Sequence, residues 1–526
     1  MDTPMPDAGK APRTAYENLT RLFNQLAALG GVQNRLFRDM QTTLPSGGAE
    51  DHDREVVALS EIAHEKITDP RVKTWLDEAQ KNIALLDDEE KANLRMMRRA
   101  HLLSAGLPVE LAGKLKQAES EGERIRGQEK DGGDWSKVVP FFEKQLDLQR
   151  QQGAILQQAT GAASIYDALL NNYSPGWTTA DYDKLFGELE PFLKKLLPQV
   201  MAKQAAETPV LPINGPFDVA KEEVLSRDVA KRMGFDETRG VLYFIPDHPC
   251  AGGTVNDVRA AGRPDPDSFL RPLYDMIHEL GHGLYDQNTP KKWAFQPAGS
   301  SLGMDIHESQ SLIWEFVVGK SPEFNKFIAG RAQEIFGRDG DPELSAANLQ
   351  KENQRVTPGL VRISMETSEV TYLLHIIMRY KLEKQMINGE LEPKDLPEAW
   401  NKMSEDMFGK KPKDNAEGCM QDVHWFCGLW GYFPSYALGY MGAVQLFDAA
   451  KKADPGILNK IEQGDLKPLK DWLTDNVHSK GSLITAQELM KQATGEHLDA
   501  KFLKAHLKAR YLGEEKKPAP AKAPKP

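Results

Sequence analysis

The chain of 526 residues has only three cysteines, Cys250, Cys419 and Cys427, and no two of them form a CxxC pair. Neither a disulfide framework nor a cysteine-built zinc site is suggested by that spacing. A basic excess is missing too: 66 lysines and arginines face 77 aspartates and glutamates, for a net charge of −11. Proteins that track a phosphate backbone need the opposite balance or a basic stripe, so nucleic acid is not the expected partner. No run of about 18 apolar residues occurs, which argues against a membrane-spanning helix. The opening MDTPMPDAGKAPRTAYENL contains no apolar segment of the kind a secretory signal needs, and the reducing cytoplasm is the expected compartment. No repeat at a fixed period appears, which excludes a solenoid.

What remains is an ordinary globular composition, 40% apolar and 27% charged, patterned mostly for helix. Leu19, Leu22, Phe23, Leu26 and Leu29 recur at three- and four-residue spacing, the period of one buried helix face. TTLPSGGAEDHD interrupts this pattern, and helical periodicity returns through much of residues 70–235 and again over 369–388. RGVLYFIPDH differs. Its apolar run from Val241 to Ile245, bounded by Gly240 and Pro246, predicts a short strand. The glycine-rich residues that follow can complete a small hairpin or sheet. The closing EEKKPAPAKAPKP cannot bury apolar surface, so residues 513–526 are expected to be a disordered tail.

Chemistry is concentrated at residues 278–282, HELGH, a match to HExxH. The flanking Met276, Ile277, Leu280 and Leu284 put the motif on a helix. Histidines four residues apart then project from one face, about 6 Å apart along the axis. Both imidazoles can reach one zinc ion, and Glu279, beside that face, can reach a water on the metal as a general base. The competing reading is a helix with two surface histidines and a solvated glutamate. Gly281 and Gly283 each cost about 1 kcal/mol in a helix interior, which suggests that something approaches this helix closely. A third ligand should come from DIHESQSLIWEFVV, which offers Asp305, His307, Glu308 and Glu315; spacing alone does not choose among them.

Several blocks in combination resemble the thermostable carboxypeptidase Taq family of HExxH metallocarboxypeptidases. They are DHP at 247–249, DVR at 257–259, HELGHGLYDQ at 278–287, IHESQSLIWE at 306–315, EVTYLLHIIMRYKLE at 369–383, GCMQDVHW at 418–425 and GYFPSYALG at 431–439. The resemblance implies a mostly α, saddle-like helical metallopeptidase with a central groove and a small β-sheet. It would occupy residues 15–512 between a flexible N-terminus (1–14) and the tail. It implies His278, His282 and Glu308 as metal ligands, Glu279 as the base, zinc or cobalt as the metal, peptides as substrates and a homodimer. Three blocks depart from the family pattern: HPC where an aromatic follows HP, DVRAA without its threonine, and a stretch about two residues longer before EVTY. These departures bear on substrate preference more than on metal binding.

Related zinc peptidases use a histidine and a tyrosine to stabilise the developing oxyanion, which points to His424 and Tyr436. Tyr432 is a further candidate at the substrate. These residues lie at multiples of four, although Pro434 is expected to break the run, and core packing is the competing reading for the tyrosines. A substrate α-carboxylate needs a guanidinium partner. Arg259 and Arg362 are the candidates, with an ordinary ion pair as the alternative for each. His307 is expected to pack behind the ligands, and Cys419 and Cys427 to be buried small hydrophobes. The rival functions are an internally cleaving oligopeptidase and a non-catalytic peptide-binding protein of the same fold.

Overall fold

The computed structural model describes residues 13–45, 47–129, 132–245, 249–357, 368–421 and 423–513. Arg362, Asp247 and His248, residues 1–12 of the expected flexible N-terminus and residues 514–526 of the expected tail lie outside them.

The first apolar stripe makes the helix Thr14–Thr42, where Leu19, Leu22 and Phe23 are buried. They pack with Val72, Trp75 and Leu76 from Pro70–Lys81 and with Leu94 and Met97 from Asp88–Ala105. This N-terminal arm has a small core of its own, apart from the main one. Its helix starts follow the local chemistry. Asp69 caps Arg71 N with Pro70 in the first turn, and Asp87 and Glu90 form a reciprocal capping box.

The short strand appears one residue early, as β1 (Gly240–Phe244). The glycine-rich segment supplies β2 (Cys250–Thr254) and β3 (Asp257–Gly262), an antiparallel hairpin, while β1 runs parallel to β3. In the order β1–β3–β2, β2 is an edge. Arg38 of the arm donates to the Ala251 carbonyl on that edge and so ties the arm to the sheet. The sheet packs on the helix Leu270–Gln287, which carries HELGH.

That helix is buried on nearly every side. Across it runs Met304–Leu312, continued by a turn of π-helix, Ile313–Val318, and behind that lies Phe433–Ala453. No helix among the described residues is long and apolar enough to cross a membrane. The fold is mostly α with one small sheet, as expected.

Candidate metal centre

Glycine lets the two donor-bearing helices meet. A Cβ at Gly281 would lie against the Gln310 carbonyl and 2.6 Å from Ser311 Cα, the close approach that the motif's glycines predict. Gly439 repeats the device behind the site, where a Cβ would sit 2.6 Å from the Glu308 Cβ.

With the backbones this close, His278 Nε2 and His282 Nε2 stand 3.7 and 3.6 Å from Glu308 Oε2. Among the described residues these three side chains form the one group whose donor atoms could share an ion, all lying within 4.8 Å of one another. Tetrahedral donors bonded at 2.0–2.2 Å stand about 3.3–3.6 Å apart, so the set fits zinc after a small contraction. Glu279 is buried beside them.

Each donor has a partner behind it. The far nitrogen of His278, Nδ1, donates to Glu315 Oε2 at 2.7 Å. His282 Nδ1 meets His307 Nδ1 at 2.5 Å, and His307 Nε2 faces Asp286 Oδ1 at 3.4 Å. Glu308 accepts from Tyr432 Oη at 2.9 Å through Oε1 and from Ser311 Oγ at 3.0 Å through Oε2. Carboxylates and carbonyls on the second ring nitrogen fix the tautomer that a metal needs. Of the four alternatives on the second helix, Glu308 faces both histidines. Glu315 is not a bystander, since it orients His278.

Burial dominates the electrostatics. It pushes the Glu279 carboxyl up to about 7; the His278 imidazole opposes the rise and the Glu308 carboxylate adds to it. Burial alone would lower His278, but Glu315, Glu279 and Glu308 outweigh it and bring that imidazole to about 10. His282 is driven well below its ordinary value by burial, by His307 and by His278.

His424 Nε2 lies 3.2 Å from Tyr436 Oη. The run is interrupted as expected, since His424 and Tyr432 precede the helix Phe433–Ala453; Pro434 sits in the first turn of that helix, where a missing N–H costs nothing. His424 packs on Phe433 at 4.6 Å between ring centroids. On that aromatic cluster the buried Arg379 lies 4.5 Å from the Trp400 and Trp425 rings and 4.6 Å from Phe433. Burial, then Arg379, hold His424 down to about 3, which leaves it neutral. Burial keeps Tyr432 and Tyr436 as phenols.

Tyr432, expected at the substrate, has its hydroxyl on Glu308 instead. Arg259 is in ion pairs with Asp257 at 3.0 Å and Asp39 at 3.7 Å, the ordinary alternative. Cys250, the HPC departure, is half-buried, and its thiol is raised by burial, lowered by Arg38 and raised by Glu279, with a net rise. It stays protonated near neutral pH and is a poor ligand or nucleophile. Cys419 is buried as expected, whereas Cys427 is partly exposed. A cavity of about 840 Å³ lies between the arm and β2; His307 lines it, and none of the three donors does.

A helical fold that gathers two imidazoles and a carboxylate, with a second buried carboxylate alongside, defines a metallopeptidase of the HExxH type. The comparisons narrow the class: residues 18–511 match the model for the carboxypeptidase Taq (M32) metallopeptidases, and the chain belongs to that family. It is a metallocarboxypeptidase. Thermostable carboxypeptidase 1 of Thermus thermophilus is 34% identical over 511 residues, 95% of this chain and 99% of its own. Among solved structures, metallocarboxypeptidase 1 of Trypanosoma cruzi superposes with a TM-score of 0.91 at 33% identity, over 95% of this chain and 99% of its own. The carboxypeptidase of Pyrococcus furiosus gives 0.89 at 28%, over 96% and 100%.

Proposed function

We propose that the protein removes amino acids one at a time from the C-termini of peptides, with His278, His282 and Glu308 holding zinc or, alternatively, cobalt. The observation that carries this reading is the convergence of those three donors beside the buried Glu279. The metal, when bound, supplies Lewis acidity toward the scissile carbonyl and acidifies a water. Glu279 takes the proton of the attacking water and passes it to the leaving amine. Burial raises that carboxyl, which favours taking up the proton, while a cation held on the three donors would draw it back toward the ordinary carboxylate range and favour the release. Tyr436 and neutral His424 donate hydrogen bonds to the oxygen on which charge develops. Tyr432 and Ser311 orient Glu308, Glu315 orients His278, and His307 with Asp286 orients His282.

An exopeptidase must recognise a chain end, and a free α-carboxylate buried without a cation costs several kcal/mol, so a guanidinium should meet it. Arg259 is already paired with Asp257 and Asp39, which favours Arg362. A C-terminally amidated peptide should therefore be cleaved about 10²-fold less efficiently than the free acid, a loss of about 2.7 kcal/mol. Arg362→Met should shrink that gap and Arg259→Met should leave it. Mass spectrometry of the products decides: equal rates with internal fragments would replace this reading with the oligopeptidase one. The reading includes a homodimer, by family analogy, which a monomer in sedimentation would overturn. It also includes a cytoplasmic address, to be tested by fractionation.

A further inference from the structure

The π turn Ile313–Val318 lies directly behind the donors. A π turn disengages backbone groups from the α ladder and is found mostly where function needs a local change of register. Here it carries Glu315, whose Oε2 accepts from His278 Nδ1 at 2.7 Å. Backbone carbonyls released in a buried segment need other donors, and these come from the far end of the chain. Arg510, on the last helix Ala500–Leu512, donates through Nη1 to the Phe316 carbonyl at 2.6 Å and through Nη2 to the Val317 carbonyl at 2.8 Å.

The guanidinium is itself anchored. Its Nη1 lies 2.8 Å from Glu369 Oε1, and Glu369 is fully buried. Glu369 also takes hydrogen bonds from Tyr511 Oη at 2.9 Å, from His506 Nε2 at 3.1 Å and from Tyr440 Oη. Burial would raise that carboxyl, but Arg510, His506 and Lys320 overcome it and hold it ionised far below the ordinary range. The anchor is thus a fixed charge pair, and its planar fork matches two successive carbonyls as a lysine cannot.

We propose that Arg510 is a positioning residue of the metal centre: held on Glu369, it grips the Phe316 and Val317 carbonyls and so fixes the π turn that presents Glu315 to His278. The proposal rests on the metal reading above and extends it to the last helix of the described chain. By this route the final helix sets how tightly the ion is held, although it touches none of the ligands.

The test is zinc affinity of the metal-stripped full chain, measured by competition with a chelator of known affinity. Arg510→Met alone strands a buried carboxylate, so the main variant is Arg510→Met with Glu369→Gln, which removes both charges together. Its affinity should fall about 10–100-fold, the usual effect of losing a partner behind a ligand. Arg510→Lys, which can hold one carbonyl, should not restore the full value. Adding Glu315→Gln to the main variant should cost little more than Glu315→Gln alone, since both changes break one line of contacts. Leu94→Ala, in the separate core of the arm, serves as a control for general destabilisation and should leave affinity unchanged. The proposal is overturned if the main variant binds zinc like the parent, or if the two sets of changes multiply independently. A parent chain that binds zinc no better than Glu308→Ala overturns the metal reading as well, which distinguishes the two failures.

Discussion

The N-terminal arm and the layer around the metal donors are both helical, yet they are held together in different ways. The arm is an amphipathic assembly with a small apolar core, and Phe37, Val57 and Ile62 remain 43%, 52% and 43% exposed on its outer faces. In the donor layer the helix Met304–Leu312 buries polar Asp305, Glu308, Ser309, Gln310 and Ser311 together with its apolar residues. Stability of the arm depends on area removed from water, which tolerates many substitutions. The donor layer depends on matched polar partners, where losing one leaves another stranded at a cost of about 1–3 kcal/mol. Changes in the arm should therefore register as stability, and changes in the layer as chemistry.

The strongest way to sharpen this contrast is Glu279→Gln, which keeps shape and burial while removing the base. Its kcat should fall about 10²–10⁴-fold with metal content unchanged, and near-normal turnover would remove Glu279 from the mechanism. Next is Glu315→Gln. Its bond to His278 predicts a loss of about 10–100-fold in metal affinity. Chelator competition measures it, and an unchanged constant would mean that His278 needs no partner.

A smaller effect concerns protons. His278 is held near 10 in the protein alone, so below that value it carries a proton, and only the neutral ring can bind metal. Metal uptake at pH 8 should release about one proton, and affinity should rise about tenfold per pH unit between pH 7 and 9. Calorimetry in two buffers of different ionisation enthalpy reads this directly; no buffer dependence would place the imidazole below 8. The smallest expected effect at the site belongs to the arm. Leu94→Ala should cost about 2–5 kcal/mol where it packs and shift Tm, while metal affinity stays within about twofold. A parallel loss of metal would break the distinction between the two regions.

The arm was legible because its periodicity is local: Leu19, Leu22 and Phe23 are spaced as a helix face and are buried as one. The strand at Val241–Ile245 was legible for a similar reason, from a bounded β-branched and aromatic run. β2 was less so, because Cys-Ala-Gly-Gly-Thr has no strand propensity and gains its form by pairing with β3. Both histidines and Glu279 announce themselves by spacing. Glu308 required the family resemblance. A signal for Glu315 was available, since residues seven apart on a helix share a face. Tyr432 on Glu308 and Arg510 on Glu369 are contacts 124 and 141 residues apart, and no local pattern encodes them. The interruption at Pro434 was legible because proline is excluded from a helix interior but suits its first turn, where the structure has it.

The crossing at Gly281 makes the metal centre sensitive to a change that alters no charge, no hydrogen bond and no ligand. Adding one methyl there puts a Cβ 2.6 Å from Ser311 Cα, against backbone that cannot rotate away as a side chain would. The two helices must part by on the order of 1 Å, whereas metal–donor distances tolerate only about 0.2 Å. Spatial tolerance, rather than chemical identity, is what this position contributes, and a catalogue of polar residues near the motif would pass it over. Gly281→Ala is the mildest substitution on paper and one of the most consequential for the site, because the two halves of the donor set are hung on backbones in direct contact.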